Sequence, residues 1–154
     1  MRSEELLVIM RRIVRDFSPL LPGMRLEVVS GEAFRARLLG RPILPGEISR
    51  EEEHPPYPLH AFPSARVIMV DIEGVRGLVG GEDRRLQRVL AEGMILREVI
   101  YLATSHQPFP DPRGRAESIF RRHWPFQFTA LRSAGFVGET LGRPRDRREL
   151  AGEN

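Results

Sequence analysis

Basic and aromatic side chains gather in the C-terminal third of the chain, where they could bind an anion. The first group consists of four arginines and one tryptophan: Arg113, Arg115, Arg121, Arg122 and Trp124. A guanidinium binds carboxylate or phosphate through paired hydrogen bonds, and an indole ring can stack on a nucleobase. A second group follows after a gap: Arg143, Arg145, Arg147 and Arg148. The pattern predicts a surface that binds a partner protein or phosphate; the alternative is a solvated surface of local ion pairs.

The spacing of the other titratable side chains favours neither a catalytic site nor a metal site. The four histidines form no HxxxH or HExxH pair, and the chain has no cysteine. The glycine-rich segment 77–81 lacks the lysine of a P-loop, and no GxSxG nucleophile motif occurs. We therefore predict no metal and no cofactor, assign no catalytic residue, and favour a protein that is not an enzyme.

Two segments resemble the chorismate pyruvate-lyase and UTRA ligand-domain family. They are Leu96-Arg-Glu-Val-Ile and, after a gap, Leu131-Arg-Ser-Ala-Gly-Phe-Val-Gly-Glu-Thr-Leu. In that family an arginine-bearing strand precedes a leucine-glycine-leucine segment, and the strand arginine pairs with a substrate carboxylate. The resemblance implies a strand that contains Arg97, a carboxylate ligand bound by Arg97, and a small ligand-binding or lyase domain.

The composition is that of an ordinary globular domain, except that arginine is the basic residue at every lysine or arginine position. Of the 154 residues, 41% are hydrophobic and 29% are charged, and the net charge is +3. All 24 basic residues are arginines, a usage that GC-rich coding explains as well as selection for guanidinium chemistry does. The absence of cysteine excludes disulfides and thiol redox chemistry.

The apolar residues follow neither the pattern of a signal peptide nor that of a membrane-spanning segment. The N-terminus carries two early acids and no signal-peptide pattern, and no apolar stretch approaches the length that a bilayer requires. The sequence therefore predicts a protein without membrane contact, which is cytoplasmic or assembled into a particle inside the cell.

The N-terminal part of the chain shows two hydrophobic periods in succession. Apolar residues recur at helical spacing in 6–17, behind the candidate N-cap Ser3, and predict an amphipathic helix whose apolar face joins the core. Alternation with period two in 24–29 and 33–39, around Ser30-Gly31-Glu32, predicts a first β-hairpin.

The middle of the chain predicts a second hairpin and a central helix. The β-rich segments 65–72 and 75–79 flank a Glu-Gly turn, and a helix follows them. The end of this helix depends on Gly93. If Gly93 adopts the left-handed conformation, it ends the helix and 94–104 forms a central strand. If Gly93 adopts the helical conformation, the helix continues through 94–104. The Ile, Val and Tyr content of 94–104 favours the strand.

We predict an α+β fold with one domain, residues 1–141. An antiparallel sheet of two hairpins, extended by the central strand, is packed by the N-terminal helix and the central helix. Two shorter helices are predicted for 115–124 and 126–135. The proline-rich segment 40–63 is predicted to be an extended loop or arm, and 142–154 a polar, arginine-rich tail that cannot bury itself.

The arm and the tail favour a function in assembly, because segments with so few apolar residues need a neighbour to hold them. A helix, two hairpins, an arm and a tail form a plan that resembles small virion tail-terminator and connector proteins. It implies a non-enzymatic structural, assembly or adaptor protein that docks with protein partners or with its own copies. The ligand-binding or lyase domain is one alternative. A nucleic-acid-binding protein that uses the C-terminal arginines is the other.

Overall fold

The computed structural model describes residues 1–40, 57–108 and 110–136. The helices in these ranges are α1 (Ser3–Phe17), α2 (Gly31–Leu39), α3 (Ile72–Val79), α4 (Arg84–Ser105), α5 (Pro112–His123) and α6 (Pro125–Ser133). The strands are β1 (Arg25–Val28), β2 (Leu59–Phe62) and β3 (Val67–Val70), and one turn of 3-10 helix, Ser18–Leu20, follows α1. Helices packed with a small sheet confirm the α+β class.

The three strands form one mixed sheet in the order β1-β3-β2. β1 lies parallel to β3, with Leu26 opposite Ile68, and β2 lies antiparallel to β3, with Ala61 opposite Ile68. All four residues of β3 are buried, which its unbroken apolar sequence requires of a central strand covered on both faces. The prediction of a purely antiparallel sheet is wrong, because β1 pairs with a strand that is distant in sequence.

The amphipathic helix α1 is confirmed, with a different start from the one predicted. Its buried residues are Leu6, Ile9, Met10 and Val14. The N-cap is Arg2 instead of Ser3, and the Arg2 backbone N–H donates a hydrogen bond to Glu5 Oε1 at 2.8 Å. That hydrogen bond, together with the nearby Arg84 guanidinium, lowers the pKa of Glu5 to about 2.

The second half of the predicted first hairpin is helix α2. Ser30 is its N-cap, because its Oγ accepts a hydrogen bond from the Ala33 N–H at 3.1 Å. Gly40, at φ 74°, ends the helix in the left-handed conformation that glycine permits. Glu, Ala, Arg and Leu are strong helix formers, and their propensity outweighs a short run of alternating apolar residues. The serine that was expected in a turn therefore starts a helix.

The second half of the predicted second hairpin is helix α3. Asp71 is the N-cap, and its Oδ1 accepts a hydrogen bond from the Gly74 N–H at 3.1 Å. The antiparallel partner of β3 is instead β2, which comes from the predicted arm 40–63. The end of that arm is therefore part of the sheet, while 41–56 lies outside the described residues.

Helix α4 is continuous through Gly93, so the predicted central strand 94–104 is wrong. α4 packs against α1, α5, α6 and β2 and is buried around most of its circumference. A helix buried in this way loses the amphipathic period by which helices are recognised. Gly93 allows α6 to approach closely, since a Cβ there would lie 3.0 Å from Leu131 Cδ1. Among the described residues, no helix is both long and apolar enough to cross a membrane.

We expect a larger side chain at Gly93 to separate α6 from α4. The variant Gly93→Val is expected to lower the free energy of unfolding by about 1–3 kcal/mol, the cost typical of overpacking. Gly77→Ala in α3 is the matched control, because nothing lies within 4 Å of the position that its new methyl group would occupy; it should raise stability by about 0.5–1 kcal/mol. Urea unfolding measures both, and an equal effect of the two variants would contradict this packing.

Candidate functional site

Helix α5 divides the predicted arginine cluster between two faces. The helix starts at the N-cap Asp111, whose Oδ1 accepts a hydrogen bond from the Gly114 N–H at 3.1 Å, and it ends before Pro125. The inner face, which packs on α4, carries Arg113, Ala116, Glu117 and Phe120. The outer face carries Arg115, Ser118, Ile119 and Arg122 at the spacing i, i+3, i+4, i+7. One helix therefore provides a structural face and an exposed basic face.

The exposed residues of α5 line an open cleft of about 380 Å³. We call this the α5 surface; its described lining residues are Arg115, Ser118, Ile119, Arg121, Arg122 and His123. None of the ion pairs among the described residues involves Arg121 or Arg122. The Arg121 guanidinium lies 5.9 Å from the centroid of the Phe128 ring. The surface therefore presents guanidinium groups that an anion can bind.

The basic last turn of α5 also contributes to the helix itself. Arg121, Arg122 and His123 lie where the carbonyl groups of the helix end carry a partial negative charge. Such placement stabilises a helix by about 0.3–1 kcal/mol per cation at low salt. This effect explains why basic residues occur at the end of the helix. It does not explain why they line a cleft together.

Trp124 packs between helices, and an aromatic ring on α6 is more exposed. The Trp124 ring centroid lies 5.7 Å from that of Phe17, at the end of α1, and 6.0 Å from that of His123. Trp124 is half-buried, whereas Phe126 is 65% exposed. The sequence predicts a Trp124 ring that is available for stacking on a nucleobase. These contacts cover part of the ring and reduce the area that a base could reach.

Four ionised side chains form a buried cluster between α4 and α5. Arg97 Nε lies 3.0 Å from Glu117 Oε1, and Arg97 Nη1 lies 3.5 Å from Glu98 Oε2. Arg113 Nη1 lies 3.6 Å from Glu98 Oε1. The side chains of Arg97 and Glu98 are only 5% and 1% exposed. Two positive and two negative charges balance, which is the condition under which buried ions are tolerated.

Two tyrosines border this ionic cluster. The Arg113 guanidinium lies 3.7 Å from the centroid of the Tyr101 ring. Within the described ranges, the buried Tyr57 hydroxyl has no hydrogen-bond partner, and neither do Glu98 Oε1 and Glu117 Oε2. Burial, reinforced by the negative charge of Glu98, raises the pKa of Tyr57. The folded state therefore favours the neutral phenol of Tyr57.

The structure places Arg97 differently from what the family resemblance implied. Arg97 lies in the middle of helix α4, not in a strand, and Glu98 and Glu117 already neutralise its guanidinium. Arg113 likewise faces inward, away from the outer arginines of α5. The remaining predicted arginines, Arg143, Arg145, Arg147 and Arg148, lie outside the described residues. Within the described ranges, no group of three or more His, Asp or Glu side chains could hold a metal ion.

A second basic cleft, which the sequence reasoning missed, lies on α1. Val8, Arg11, Arg12 and Arg15 line an open space of about 290 Å³. These residues occupy the side of α1 opposite its buried face. The amphipathic period that predicted α1 also assigns these four residues to one outer face, so the signal was present in the sequence.

Comparisons of the chain with protein-family models, curated proteins and solved structures gave no match. The function must therefore be inferred from the chain's own side chains. These divide into a closed ionic cluster in the interior and arginine-lined clefts at the surface.

We expect Arg97→Met to destabilise the fold strongly. The substitution leaves the buried Glu98 with only the 3.6 Å contact to Arg113 and removes the guanidinium partner of Glu117; breaking a buried ion pair in this way costs about 3–5 kcal/mol. Arg84→Gln is the matched control, because Arg84 pairs with Glu5 while 68% exposed, and exposed pairs contribute about 0–1 kcal/mol. Denaturant unfolding separates the two, and similar losses in both variants would contradict a structural cluster.

The tyrosine beside the cluster gives a pH-dependent prediction. The pKa of Tyr57 is higher in the folded state than in the unfolded state, where it is about 10. Below about pH 10 the phenol is neutral in both states, so the free energy of unfolding does not depend on its titration. Above that pH the unfolded state loses the proton first, and the free energy of unfolding falls by up to about 1.4 kcal/mol per pH unit. The chain has neither lysine nor cysteine to titrate in this range. Tyr57→Phe should reduce the alkaline loss and, by removing an unpaired hydroxyl, raise neutral-pH stability by about 1 kcal/mol. Unfolding at pH 7 to 11 measures this; Tyr101→Phe is the control, and an unchanged slope in Tyr57→Phe would refute the assignment.

Proposed function

We propose that this chain is a non-enzymatic adaptor protein that docks onto an acidic segment of a protein partner through the α5 surface. The observation that carries the proposal is the cleft on the outer side of α5, in which Arg121 and Arg122 have no carboxylate partner among the described residues. Guanidinium groups bind carboxylates bidentately and are enriched at protein interfaces.

The apolar residues at this surface support a protein partner. Ile119 lines the cleft, and Phe126 is 65% exposed on the helix that follows. A half-buried isoleucine beside arginines, followed on the next helix by an exposed phenylalanine, matches the composition of protein interfaces, where a few such residues supply most of the affinity. A small net charge of +3 also provides little long-range attraction for nucleic acid.

The interior supports a binding function over a catalytic one. The ionisable groups of the buried cluster are paired with one another across α4 and α5. A catalytic acid or base must instead lie within reach of a substrate. The cluster is better suited to holding α5 in place so that its outer face is fixed.

Nucleic-acid binding remains the second candidate, because Phe126 offers an exposed ring on α6, the helix that follows the arginines of the α5 surface. Bases stack on such rings, and guanidinium groups contact the phosphates. The two candidates differ in their dependence on salt, which is steeper for a phosphate backbone. The predicted docking segments 41–56 and 142–154 lie outside the described residues, so the proposal rests on the α5 surface.

We expect a labelled peptide of Glu-Glu-Leu repeats to bind the wild-type chain. In the variant Arg121→Gln/Arg122→Gln, affinity should fall about tenfold or more, since each lost charge-assisted contact weakens binding by a kilocalorie or more. Arg85→Gln/Arg88→Gln is the matched control, because both of these arginines are exposed on α4 away from the cleft. Fluorescence anisotropy measures the affinities.

A peptide of Gln-Gln-Leu repeats should not bind, because it lacks the carboxylates. Equal affinity of the two arginine variants for the acidic peptide would exclude the α5 surface as the docking site. A labelled oligothymidylate that binds more tightly than the acidic peptide, with a steep loss as salt rises from about 50 to about 200 mM, would favour the nucleic-acid alternative.

A further inference from the structure

The outer face of α1 is an exposed basic surface that the fold itself does not use. Val8, Arg11, Arg12 and Arg15 follow one another at i, i+3, i+4 and i+7, and together they line the cleft of about 290 Å³. We call this the α1 surface. The opposite face of the helix is in the core, so packing against the domain explains the buried face alone.

The charges of the α1 surface are poorly compensated within the described part of the molecule. No ion pair there involves Arg11 or Arg12. Arg15 pairs with Asp16 at 3.9 Å, but the two side chains are 75% and 59% exposed, and such a pair contributes little. Arg11 and Arg15 are four residues apart on one helix, a spacing at which like charges repel. A bound anion would relieve this repulsion.

The side chain that accompanies these arginines indicates the kind of anion. Val8 is 56% exposed and contributes an aliphatic surface to the cleft. None of the described lining residues is aromatic, so the cleft has no ring on which a base could stack. Carboxylates interspersed with aliphatic side chains complement three guanidinium groups and a valine more fully than a sugar-phosphate chain does.

We propose that the α1 surface is a second docking site, which takes an acidic, aliphatic segment of a partner protein. This goes beyond the single α5 surface of the proposed function, because it makes the chain a bridge between two acidic segments. The two surfaces lie on separate helices whose ends meet at the ring contact of Phe17 with Trp124, at 5.7 Å between centroids. The helices that carry the two surfaces are therefore in contact at these ends.

The spacing of the surfaces follows from helix geometry. Arg12 is five residues before Phe17, and Ile119 is five residues before Trp124. At about 1.5 Å per residue, the middle of each surface lies about 8 Å along its helix from the ring contact. Two segments of one partner, joined by a short linker, could thus reach both surfaces and gain affinity from being linked.

The test is the stoichiometry of binding of the Glu-Glu-Leu repeat peptide, measured by isothermal titration calorimetry. We expect two peptides per wild-type chain, with the weaker site at the α1 surface because Asp16 already contacts Arg15, and one per chain in Arg11→Gln/Arg12→Gln. The α5 variant Arg121→Gln/Arg122→Gln should also bind one, and the combination of all four substitutions none. The exposed pair Arg85→Gln/Arg88→Gln is again the control and should keep two sites. Circular dichroism and unfolding midpoints establish that each variant is folded.

The outcomes separate this inference from the proposed function. A single peptide per wild-type chain, lost in the α5 variant and kept in the α1 variant, would overturn the second site and leave the first. A single peptide lost only in the α1 variant would support the α1 surface and overturn the function proposed for α5. Tighter binding of oligothymidylate than of the peptide at the α1 surface, at the same salt concentration, would overturn the assigned partner class.

Discussion

The ion pairs between α4 and α5 are the interaction on which the arrangement of this molecule depends. Charges taken out of water are tolerated only when each has a partner at close range, so Arg97, Glu98, Arg113 and Glu117 allow α5 one orientation on α4. A purely apolar contact would accept small rotations of the helix at little cost. Because the inner face is fixed, the helix backbone that carries the outer arginines is held in one place.

The sequence predicted those elements that are determined by their own residues, and it failed for elements that are determined by contacts with distant parts of the chain. α1, α5 and α6 have helical spacing or proline boundaries of their own, and β1 and β3 have β-rich sequences. α2 and α3 were mistaken for strands because Ser30-Gly31-Glu32 and Glu73-Gly74 are typical of tight turns, whereas Ser30 and Asp71 are helix N-caps. The continuity of α4 depends on α6, whose Leu131 packs against Gly93, a contact that no local pattern encodes.

The same distinction applies to the candidate site. The sequence identified the arginines of α5 as a group, and the structure brings Arg115, Arg121 and Arg122 to one cleft. Residue type alone could not separate Arg113, which faces Glu98, from Arg115 two positions later, because that separation depends on which side of the helix meets α4. The family resemblance implied a strand position and a carboxylate ligand for Arg97, yet Arg97 lies in a helix and its partners are carboxylates of this chain.

The inner face of α5 packs on α4 and its outer face carries the exposed arginines. The position of each residue in the helical repeat alone decides on which face it lies. Each residue turns the helix by about 100°, so one residue inserted between Glu117 and Arg121 would rotate the basic turn toward the core while Arg113 and Glu117 kept their partners. A substitution on either face disturbs one task, whereas the insertion would also turn Phe120 out of the core and so disturb both. Evolution of this chain is therefore expected to conserve the number of residues in α5 as strictly as the charges on its outer side.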